Sequence, residues 1–351
     1  MASTVEELMK DFNKKFKEDL VHYGVSEYDY ERIQFTSPRL NYMTFGGIPM
    51  GKLIEFYGEE YGGKTTTALD IVANYQAMDT GRKVLWADCE NTLDVVWAGK
   101  LGVNVDEIIL LQPTNQGAET IFEFILQMID TGTIGLVVID SFGVMVSNQT
   151  VKNSMEDKTY GGISKPLTEF SEKAVGLCQR HKCTLLGLNQ LRDDFNSMFG
   201  GTKTVGGRGW RHNAAVRLEF RMGTYIDENG KSVNRGTESP AGNIVVVSMK
   251  KNKTCPPTRR TGFYTLRYQT GIDYISDLIE VATKYGIVDV SGSWYRLVDI
   301  DTGEFLCDKV QGQPKLAALL EDDIDVLRRV EELIDARVKS DEVSLDEEPQ
   351  E

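Results

Sequence analysis

The residues with the clearest chemical signature form a short glycine-rich segment. Positions 58–65 read Gly-Glu-Glu-Tyr-Gly-Gly-Lys-Thr, which matches the G-x-x-x-x-G-K-[ST] pattern of a nucleoside-triphosphate loop, the Walker A motif. In such a loop, glycine N–H groups and the N-terminus of the following helix bind phosphate oxygens. We therefore predict nucleotide contacts from Gly58, Glu59, Glu60, Tyr61, Gly62, Gly63, Lys64, Thr65 and Thr66.

Two side chains of this loop have distinct expected roles. Lys64 would reach the outer phosphates, and Thr65 would offer its hydroxyl to Mg²⁺. A glycine turn that Thr65 merely caps is the alternative. The flanking sequence favours the nucleotide loop, because an apolar strand-like run precedes it and a helical stripe follows it: Leu53, Ile54, Phe56 and Tyr57, then Ala68, Leu69, Val72 and Tyr75.

Carboxylates follow two further strand-like runs. Asp140 and Ser141 come directly after the apolar run 136–139, and Glu90 comes just after the run 83–88. Because the carboxyl ends of parallel strands share one rim of a sheet, both carboxylates should lie beside the phosphate loop. We predict that Asp140 joins the Mg²⁺ shell and that Glu90 is the general base for an attacking water. A turn-capping aspartate and a solvated loop glutamate are the alternatives.

A third strand-like run ends in an amide, Gln190. An amide at that place can hydrogen-bond a phosphate oxygen while the loop that follows responds, so we predict that Gln190 is a γ-phosphate sensor. The loop 191–209 contains five glycines around Ser197-Met198-Phe199 and suits a segment that becomes ordered on a ligand. An inert surface loop is the alternative.

The composition is that of an acidic globular protein. With 351 residues, of which 41% are hydrophobic, the chain can bury a full core. Its net charge of −14 argues against one broad basic face for nucleic acid, so any such contact must be local. The chain has no apolar stretch as long as a membrane span, no secretory leader pattern, and five scattered cysteines. We therefore expect an intracellular protein without disulfides.

The predicted elements alternate as strands and helices and then change to antiparallel strands. From about residue 47 to 190, strands and helices alternate in the βαβ order of a parallel sheet. Beyond residue 206, polar and apolar residues alternate in strands without helices between them, so we expect them to extend the sheet. The predicted class is α/β, with an N-terminal oligomerisation helix and linker at 1–36, a core at 37–272, a small α+β domain at 273–338 and an acidic disordered tail at 339–351. In the first segment Leu8, Phe12, Phe16 and Leu20 recur every four residues, which predicts an amphipathic helix that lies on its own chain or on a neighbouring one.

Several segments in the same order carry a family resemblance. They are Gly58–Thr65, Asp88–Asp94, Val137–Ser141, Asn189–Arg192, Met198–Gly200 and Lys251–Lys253. Through them the chain resembles the RecA recombinases of bacteria and phages from about residue 33 to 271. Members of that family polymerise on single-stranded DNA with ATP at subunit interfaces, search for a matching duplex and exchange strands. The resemblance implies a RecA-like ATPase core whose sheet is mixed and mainly parallel.

The resemblance also implies partners and a location. ATP and Mg²⁺ would be bound, and ATP hydrolysis would be stimulated by DNA. The expected partners are single-stranded DNA, double-stranded DNA and further copies of the chain in a helical filament, with single-strand-binding and mediator proteins as further candidates and no membrane. The location would be the cytoplasm of a bacterial cell or of a phage-infected host.

Carried over position by position, the resemblance implies roles for further residues. Asp94 and Trp97 would flank the adenine, with Trp97 in place of the more usual tyrosine. Ser141 would support the metal, and Lys251 and Lys253 would reach the ATP of a neighbouring subunit. Two loops match the family's DNA-contacting ones and supply Gly161, Gly162, Lys165, Arg192, Met198, Phe199, Gly206 and Gly207.

Two other functions share the phosphate loop. A ring-shaped hexameric motor such as a replicative helicase would have the same ATP site but would close into a ring. A small-molecule kinase would need an acceptor for turnover and would ignore DNA. Filament formation and DNA-dependent hydrolysis discriminate a recombinase from both.

Overall fold

The computed structural model describes residues 4–16, 21, 30–153, 162–193, 201–234 and 236–344. The chain divides into a short unit, residues 1–31, and a large unit, residues 32–351. In the short unit, helix α1 (Val5–Phe16) carries the predicted amphipathic stripe, and Leu8, Phe12 and Phe16 are exposed. Leu20, the next residue of the predicted stripe, lies outside the described residues.

The large unit contains helices and strands that alternate along its first half. Its helices are α2 (Pro38–Thr44), α3 (Lys64–Ala77), α4 (Val95–Lys100), α5 (Ala118–Asp130), α6 (Asn148–Lys152), α7 (Ser164–Arg180), α8 (Gly207–Asn213), α9 (Tyr274–Lys284), α10 (Gln313–Asp322) and α11 (Ile324–Ser344). Its strands are β1 (Arg32–Ile33), β2 (Ile48–Pro49), β3 (Leu53–Gly58), β4 (Lys83–Asp88), β5 (Ile108–Leu111), β6 (Ile134–Asp140), β7 (Thr184–Asp193), β8 (Thr202–Thr204), β9 (Val216–Ile226), β10 (Ser232–Val233), β11 (Gly242–Asn252), β12 (Thr261–Arg267), β13 (Gly271–Ile272), β14 (Val288–Ser291), β15 (Trp294–Leu297) and β16 (Val310–Gln311).

One large mixed sheet runs through this unit. Its strand order is β13-β12-β11-β9-β3-β7-β6-β4-β5. Neighbours from β9 to β5 pair in parallel, and those from β9 to β13 pair antiparallel. Every residue of β6 is buried, as expected for a parallel strand covered on both faces. The predicted fold class, α/β with a mixed and mainly parallel sheet, is confirmed.

The sheet has a hydrophobic core on each face. Alternate residues of one strand point to opposite faces, so Val84 and Trp86 enter one cluster while Leu85 and Ala87 enter the other. Helix α3 covers the first face, and α5 and α7 cover the second. This packing fixes the strand ends that carry the site residues.

The C-terminal part has a core of its own. Strands β14, β15 and β16 form a three-stranded antiparallel sheet, which packs with α9, α10 and α11 in a third hydrophobic cluster. Helices α10 and α11 are separated by Asp323. Helix α11 continues to Ser344, so the predicted tail begins inside a helix, and residues 345–351 lie outside the described chain. Among the described residues, no helix is long and apolar enough to cross a membrane.

A buried carboxylate joins α2 to α9. Asp277 on α9 accepts a hydrogen bond from Ser37, and its Oδ1 lies 4.0 Å from Nε of Arg39. Burial, the largest cause, raises the pKa of Asp277 to about 7, and the Ser37 hydrogen bond and the Arg39 charge oppose the shift. The folded protein therefore holds a proton here at pH values where the unfolded chain has lost it.

We predict that this proton makes the wild-type protein lose stability as the pH rises. Between the unfolded aspartate pKa of about 3.9 and the folded value, the folded state binds more protons, so the free energy of unfolding falls with rising pH. Asp277→Asn should lack this loss. Urea unfolding should show the wild type less stable relative to the variant at pH 8 than at pH 5. Asp106→Asn, at an exposed position, is the control. A difference in the free energy of unfolding between the wild type and Asp277→Asn that is the same at both pH values would contradict the prediction.

Candidate functional site

The phosphate loop connects β3 to α3 at the rim of the sheet. The end of β3 is held between β7 and β9. Gly63 precedes α3 with a φ of +90°, a conformation that glycine adopts without a steric penalty. Gly58 lies against β9, where an added Cβ would be 2.0 Å from the carbonyl oxygen of Phe220. Both positions therefore require glycine.

Lys64, the first residue of α3, lies across its own loop. Its Nζ donates to the carbonyl oxygens of Gly58, over 3.1 Å, and Glu59, over 2.6 Å. Burial, the largest cause, lowers the pKa of Lys64, and the carboxylates of Asp140 and Glu90 oppose the shift. The ammonium group is thus poorly solvated and bound to carbonyl oxygens, a position from which it can exchange to phosphate oxygens.

Thr65 and Asp140 form the candidate Mg²⁺ site. Oγ1 of Thr65 donates to Oδ2 of Asp140 over 3.0 Å, and Asp140 is 7% exposed. Burial, the largest cause, raises the pKa of Asp140 to about 7; the hydrogen bond from Thr65 opposes the shift, and the charges of Glu90 and Asp88 add to it. Hydroxyl and carboxylate oxygens are ligands that Mg²⁺ prefers. A bound cation would also offset the repulsion between the carboxylate of Asp140 and those of Glu90 and Asp88. The two side chains fit the predicted metal role.

Glu90 belongs to a polar cluster at the same rim. Oγ of Ser141 donates to Oε1 of Glu90 over 2.5 Å, and Nε2 of Gln190 donates to the same oxygen over 3.1 Å. The backbone N–H of Glu90 also bonds to the Asp140 carbonyl oxygen over 3.3 Å. The parallel strands β4, β6 and β7 thus bring together residues that are far apart in the sequence.

A cavity of about 450 Å³ opens beside the phosphate loop. Its lining includes the predicted residues Tyr61, Gly62, Gly63, Lys64, Thr65, Thr66 and Trp97. It also includes Asn243, Leu266 and Tyr268, which no sequence pattern indicated. These three lie on β11, on β12 and just after β12. The alternation of polar and apolar residues in those strands indicated which side chains are buried. It did not indicate that the strands lie beside the phosphate loop.

The predicted adenine residues have different places. Nε1 of Trp97 lies 3.5 Å from Oγ1 of Thr66, at the cavity. Oδ1 of Asp94 accepts from the N–H groups of Val96 and Trp97, each over 2.9 Å, and so begins α4. Within the described part of the chain, Gly58, Glu59, Glu60 and Asp94 are not among the lining residues. Asp94 therefore positions Trp97, and its adenine contact stays a prediction.

We predict that Tyr268 supplies an aromatic contact to the nucleotide base. It lines the cavity and is 41% exposed, so a bound ring could cover it. Tyr268→Ala should weaken binding of a fluorescent ATP analogue about 3- to 10-fold, as expected for loss of one aromatic pair. Tyr268→Phe keeps the ring and should bind as the wild type does. Equal affinities for the alanine variant and the wild type would contradict this role.

A second cavity, of about 920 Å³, adjoins the other side of Gln190. The predicted DNA-loop residues Gly162, Arg192, Gly206 and Gly207 line it, together with two cations that the sequence analysis did not single out, Lys203 and Arg211. Gln190 also lines this cavity while it donates to Glu90. It therefore connects the two parts of the site.

Arg192 also contacts the turn after β6, and the predicted DNA residues outside the cavity lining are exposed or lie outside the described chain. Nη2 of Arg192 donates to the Gly143 carbonyl oxygen over 2.5 Å, which ties the start of its loop to the turn after β6. Lys165 is 86% exposed and lies 3.8 Å from Glu169 on α7. Gly161, Met198 and Phe199 lie outside the described residues.

Lys251 and Lys253 both contact the C-terminal end of α8. Nζ of Lys251 donates to the carbonyl oxygens of Arg211, over 2.7 Å, and His212, over 2.8 Å. Nζ of Lys253 donates to the same His212 oxygen over 3.2 Å. Burial, the largest cause, lowers the pKa of Lys251 to about 8, and the charges of Lys253 and Arg217 lower it further. The two lysines thus cap the helix that begins at the end of the second predicted DNA loop.

Comparison with known proteins identifies a family for the chain. The family model for the RecA N-terminal domain matches residues 3–273. Protein RecA of Clostridioides difficile is 33% identical over 292 residues, which cover 83% of this chain and 78% of the relative. Protein RecA of Clostridium perfringens is 34% identical over 260 residues, 74% of this chain and 70% of the relative. For protein RecA of Paracoccus denitrificans the identity is 32% over 292 residues, 83% and 76% of the two chains. The chain therefore belongs to the RecA family of recombination proteins.

Proposed function

We propose that this protein is an ATP-dependent homologous recombinase. It forms helical filaments on single-stranded DNA, searches duplex DNA for homology and exchanges strands, with ATP hydrolysis stimulated by DNA. The observation that carries the proposal is the position of Gln190, which donates to Glu90 beside the phosphate loop and lines the second cavity together with described residues of both predicted DNA loops. One side chain thus contacts both the candidate base and the candidate DNA site.

In this proposal, Glu90 accepts a proton from the water that attacks the γ-phosphate. The hydrogen bonds from Ser141 and Gln190 to Oε1 hold the Glu90 carboxylate in place at the rim of the sheet. When Gln190 turns to a γ-phosphate oxygen, Oε1 of Glu90 loses one donor and can accept a hydrogen bond from the attacking water. Lys64 holds the outer phosphates. Bound Mg²⁺, with Thr65 and Asp140 as its protein ligands, would neutralise charge on the phosphate oxygens.

Local groups can bind DNA although the whole chain is acidic. The second cavity presents the cations Arg192, Lys203 and Arg211 beside Gly206 and Gly207. Backbone N–H groups and a few cations contact phosphates without a broad basic face. The apolar pair Met198-Phe199 is proposed as a wedge between bases. Single-stranded DNA is the proposed first ligand, and homologous duplex DNA is the second.

Assembly would complete the catalytic site. Lys251 and Lys253 are proposed to leave the α8 carbonyl oxygens and to bind the ATP of a neighbouring subunit, as cations supplied in trans do elsewhere. The apolar stripe of α1, which is exposed among the described residues, supports a second copy of the chain as its partner, because exposed apolar stripes favour association. The protein would act in the cytoplasm of a bacterial cell or phage-infected host, where single-strand-binding and mediator proteins are candidate partners.

A strand-exchange assay with ATP, single-stranded DNA and homologous duplex tests the proposal. The wild type should form the exchanged product, and Lys64→Ala, which removes the phosphate-binding ammonium, should not. Electron microscopy with ATP and single-stranded DNA should show helical filaments. Closed rings would favour a hexameric motor instead. ATP turnover that ignores DNA and requires a small acceptor would favour a kinase.

A further inference from the structure

A buried ion pair lies in the centre of the sheet, apart from the site residues described above. Glu55 on β3 is 0% exposed, and its Oε2 accepts a hydrogen bond from Nε of Arg217 on β9. The two residues are direct partners in the parallel β3–β9 register. A carboxylate on a strand covered on both faces loses its hydration and is tolerated only when its partners are fixed.

Asn189 links Glu55 to the second predicted DNA loop. Nδ2 of Asn189 donates to Oε1 of Glu55 over 2.8 Å and to the carbonyl oxygen of Val205 over 2.9 Å. Val205 immediately precedes Gly206, the N-cap residue of α8. Oδ1 of Asn189 accepts from the backbone N–H of Gln190 over 3.0 Å. The carboxylate thus holds both the backbone of the sensor and the end of the loop.

Arg217 links the same pair to the other end of α8. It is the register partner of Lys251 across the antiparallel β9–β11 pair. Lys251 in turn donates to the carbonyl oxygens of Arg211 and His212, in the last turn of α8. The two ends of α8 are therefore held by residues that contact or adjoin one buried ion pair.

We propose that Glu55 and Arg217 are positioning residues that couple the DNA loop to ATP hydrolysis. They act through Asn189 on Gln190 and on the N-terminal end of α8, and through Lys251 on its C-terminal end. Displacement of α8 by DNA is then transmitted to the γ-phosphate sensor and to the lysines that act in trans. This inference rests on the recombinase function proposed above.

The two charges act on Lys251 with opposite signs. The charged groups that influence it are Lys253 on its own strand, Arg217 on β9 and Glu55 on β3, beside the α8 carbonyl oxygens. Arg217 lowers the pKa of Lys251, and Glu55 raises it. Neutralising Glu55 should make Lys251 lose its proton at lower pH, and neutralising Arg217 should have the reverse effect. A purely structural role would not produce opposite shifts.

The experiment compares the wild type with Glu55→Gln, Arg217→Gln and the double variant. Each single variant should reduce the stimulation of ATP hydrolysis by single-stranded DNA about tenfold, within the usual range of coupling between two sites. Affinity for a fluorescent ATP analogue should stay close to that of the wild type. The alkaline limb of the pH–rate profile should move to lower pH for Glu55→Gln and to higher pH for Arg217→Gln. In the double variant the limb should return towards the wild-type position.

Two further variants keep the test decisive. Arg329→Gln breaks the ion pair with Asp299, of 2.8 Å, in the C-terminal part and should leave DNA stimulation unchanged. Asn189→Ser keeps both charges of the ion pair but removes the Nδ2 contacts to Glu55 and Val205, so it should lose DNA stimulation without moving the alkaline limb. If thermal melting shows that the single variants are unfolded, Asn189→Ser decides the question.

Two results would overturn the inference. One is wild-type DNA stimulation in Glu55→Gln and Arg217→Gln or, where these do not fold, in Asn189→Ser. The other is a shift of both alkaline limbs in the same direction. A wild-type protein whose hydrolysis ignores DNA would instead contradict the proposed function, so the two failures are distinguishable.

Discussion

Replacing Glu90 by glutamine is expected to lower ATP turnover by about 100- to 10,000-fold, the usual contribution of a positioned general base. Glutamine cannot take the proton of the attacking water, but its oxygen can still accept from Ser141 and Gln190. The polar cluster should therefore keep its shape, and the binding of ATP and single-stranded DNA should remain close to that of the wild type. Single-turnover hydrolysis, titration with a fluorescent ATP analogue and fluorescence anisotropy with an oligonucleotide measure the three quantities.

Two other variants define the cause of the expected loss. Glu123→Gln makes the same chemical change at an exposed position on α5 and should hydrolyse ATP normally. Glu90→Asp keeps a carboxylate but withdraws it from the cluster, so its rate should fall between those of the wild type and Glu90→Gln. Normal turnover in Glu90→Gln would remove this residue from the mechanism.

A mixture of two inactive variants is expected to regain activity if the site spans two subunits. One variant is Glu90→Gln, and the other carries Lys251→Ala and Lys253→Ala. Each interface of a helical filament is heterologous, so one subunit would supply Glu90 and its neighbour would supply the two lysines. When the two variants are mixed in equal amounts and assemble at random, about a quarter of the interfaces would combine an intact Glu90 with intact lysines. The measurement is DNA-stimulated ATP hydrolysis of the mixture, compared with each variant alone.

The matched control is Lys250→Ala, which changes an exposed lysine of the same strand that pairs with Glu219. This variant should be active alone, and Glu90→Gln added to it should only dilute its activity. A mixture of the two inactive variants that stays inactive, although each still enters filaments seen by electron microscopy, would place the whole site within one chain.

Local patterns were sufficient to predict much of this site. The phosphate loop could be recognised because its glycines, Lys64 and Thr65 are consecutive and their chemistry depends on backbone geometry over a few residues. Asp140 and Glu90 could be placed at the same rim because the apolar runs before them predicted parallel strands. The structure indeed brings both beside Lys64, where their charges oppose the lowering of its pKa by burial.

Other residues carried no local signal. Tyr268 follows β12, where polar and apolar residues alternate as in any half-buried strand. It reaches the nucleotide cavity only because β11 and β12 extend the sheet past β9. Arg211 belongs to α8, which begins inside the segment predicted as a loop, since two glycines at its start conceal the helix. In the sequence, Glu55 is a single charged residue within an apolar strand. Its partners Asn189 and Arg217 are more than 130 residues away along the chain.

The sequence by itself determined the phosphate loop, the α/β class and the strand-end residues, because each depends on spacing over one strand or one turn. The tertiary structure alone decided which strands are neighbours, and with that the lining of both cavities, the contacts of Lys251 and Lys253 with α8, and the ion pair of Glu55 with Arg217. The physical reason is that strand order follows from burial of the whole sheet on both faces, a property that the residues of one segment do not encode.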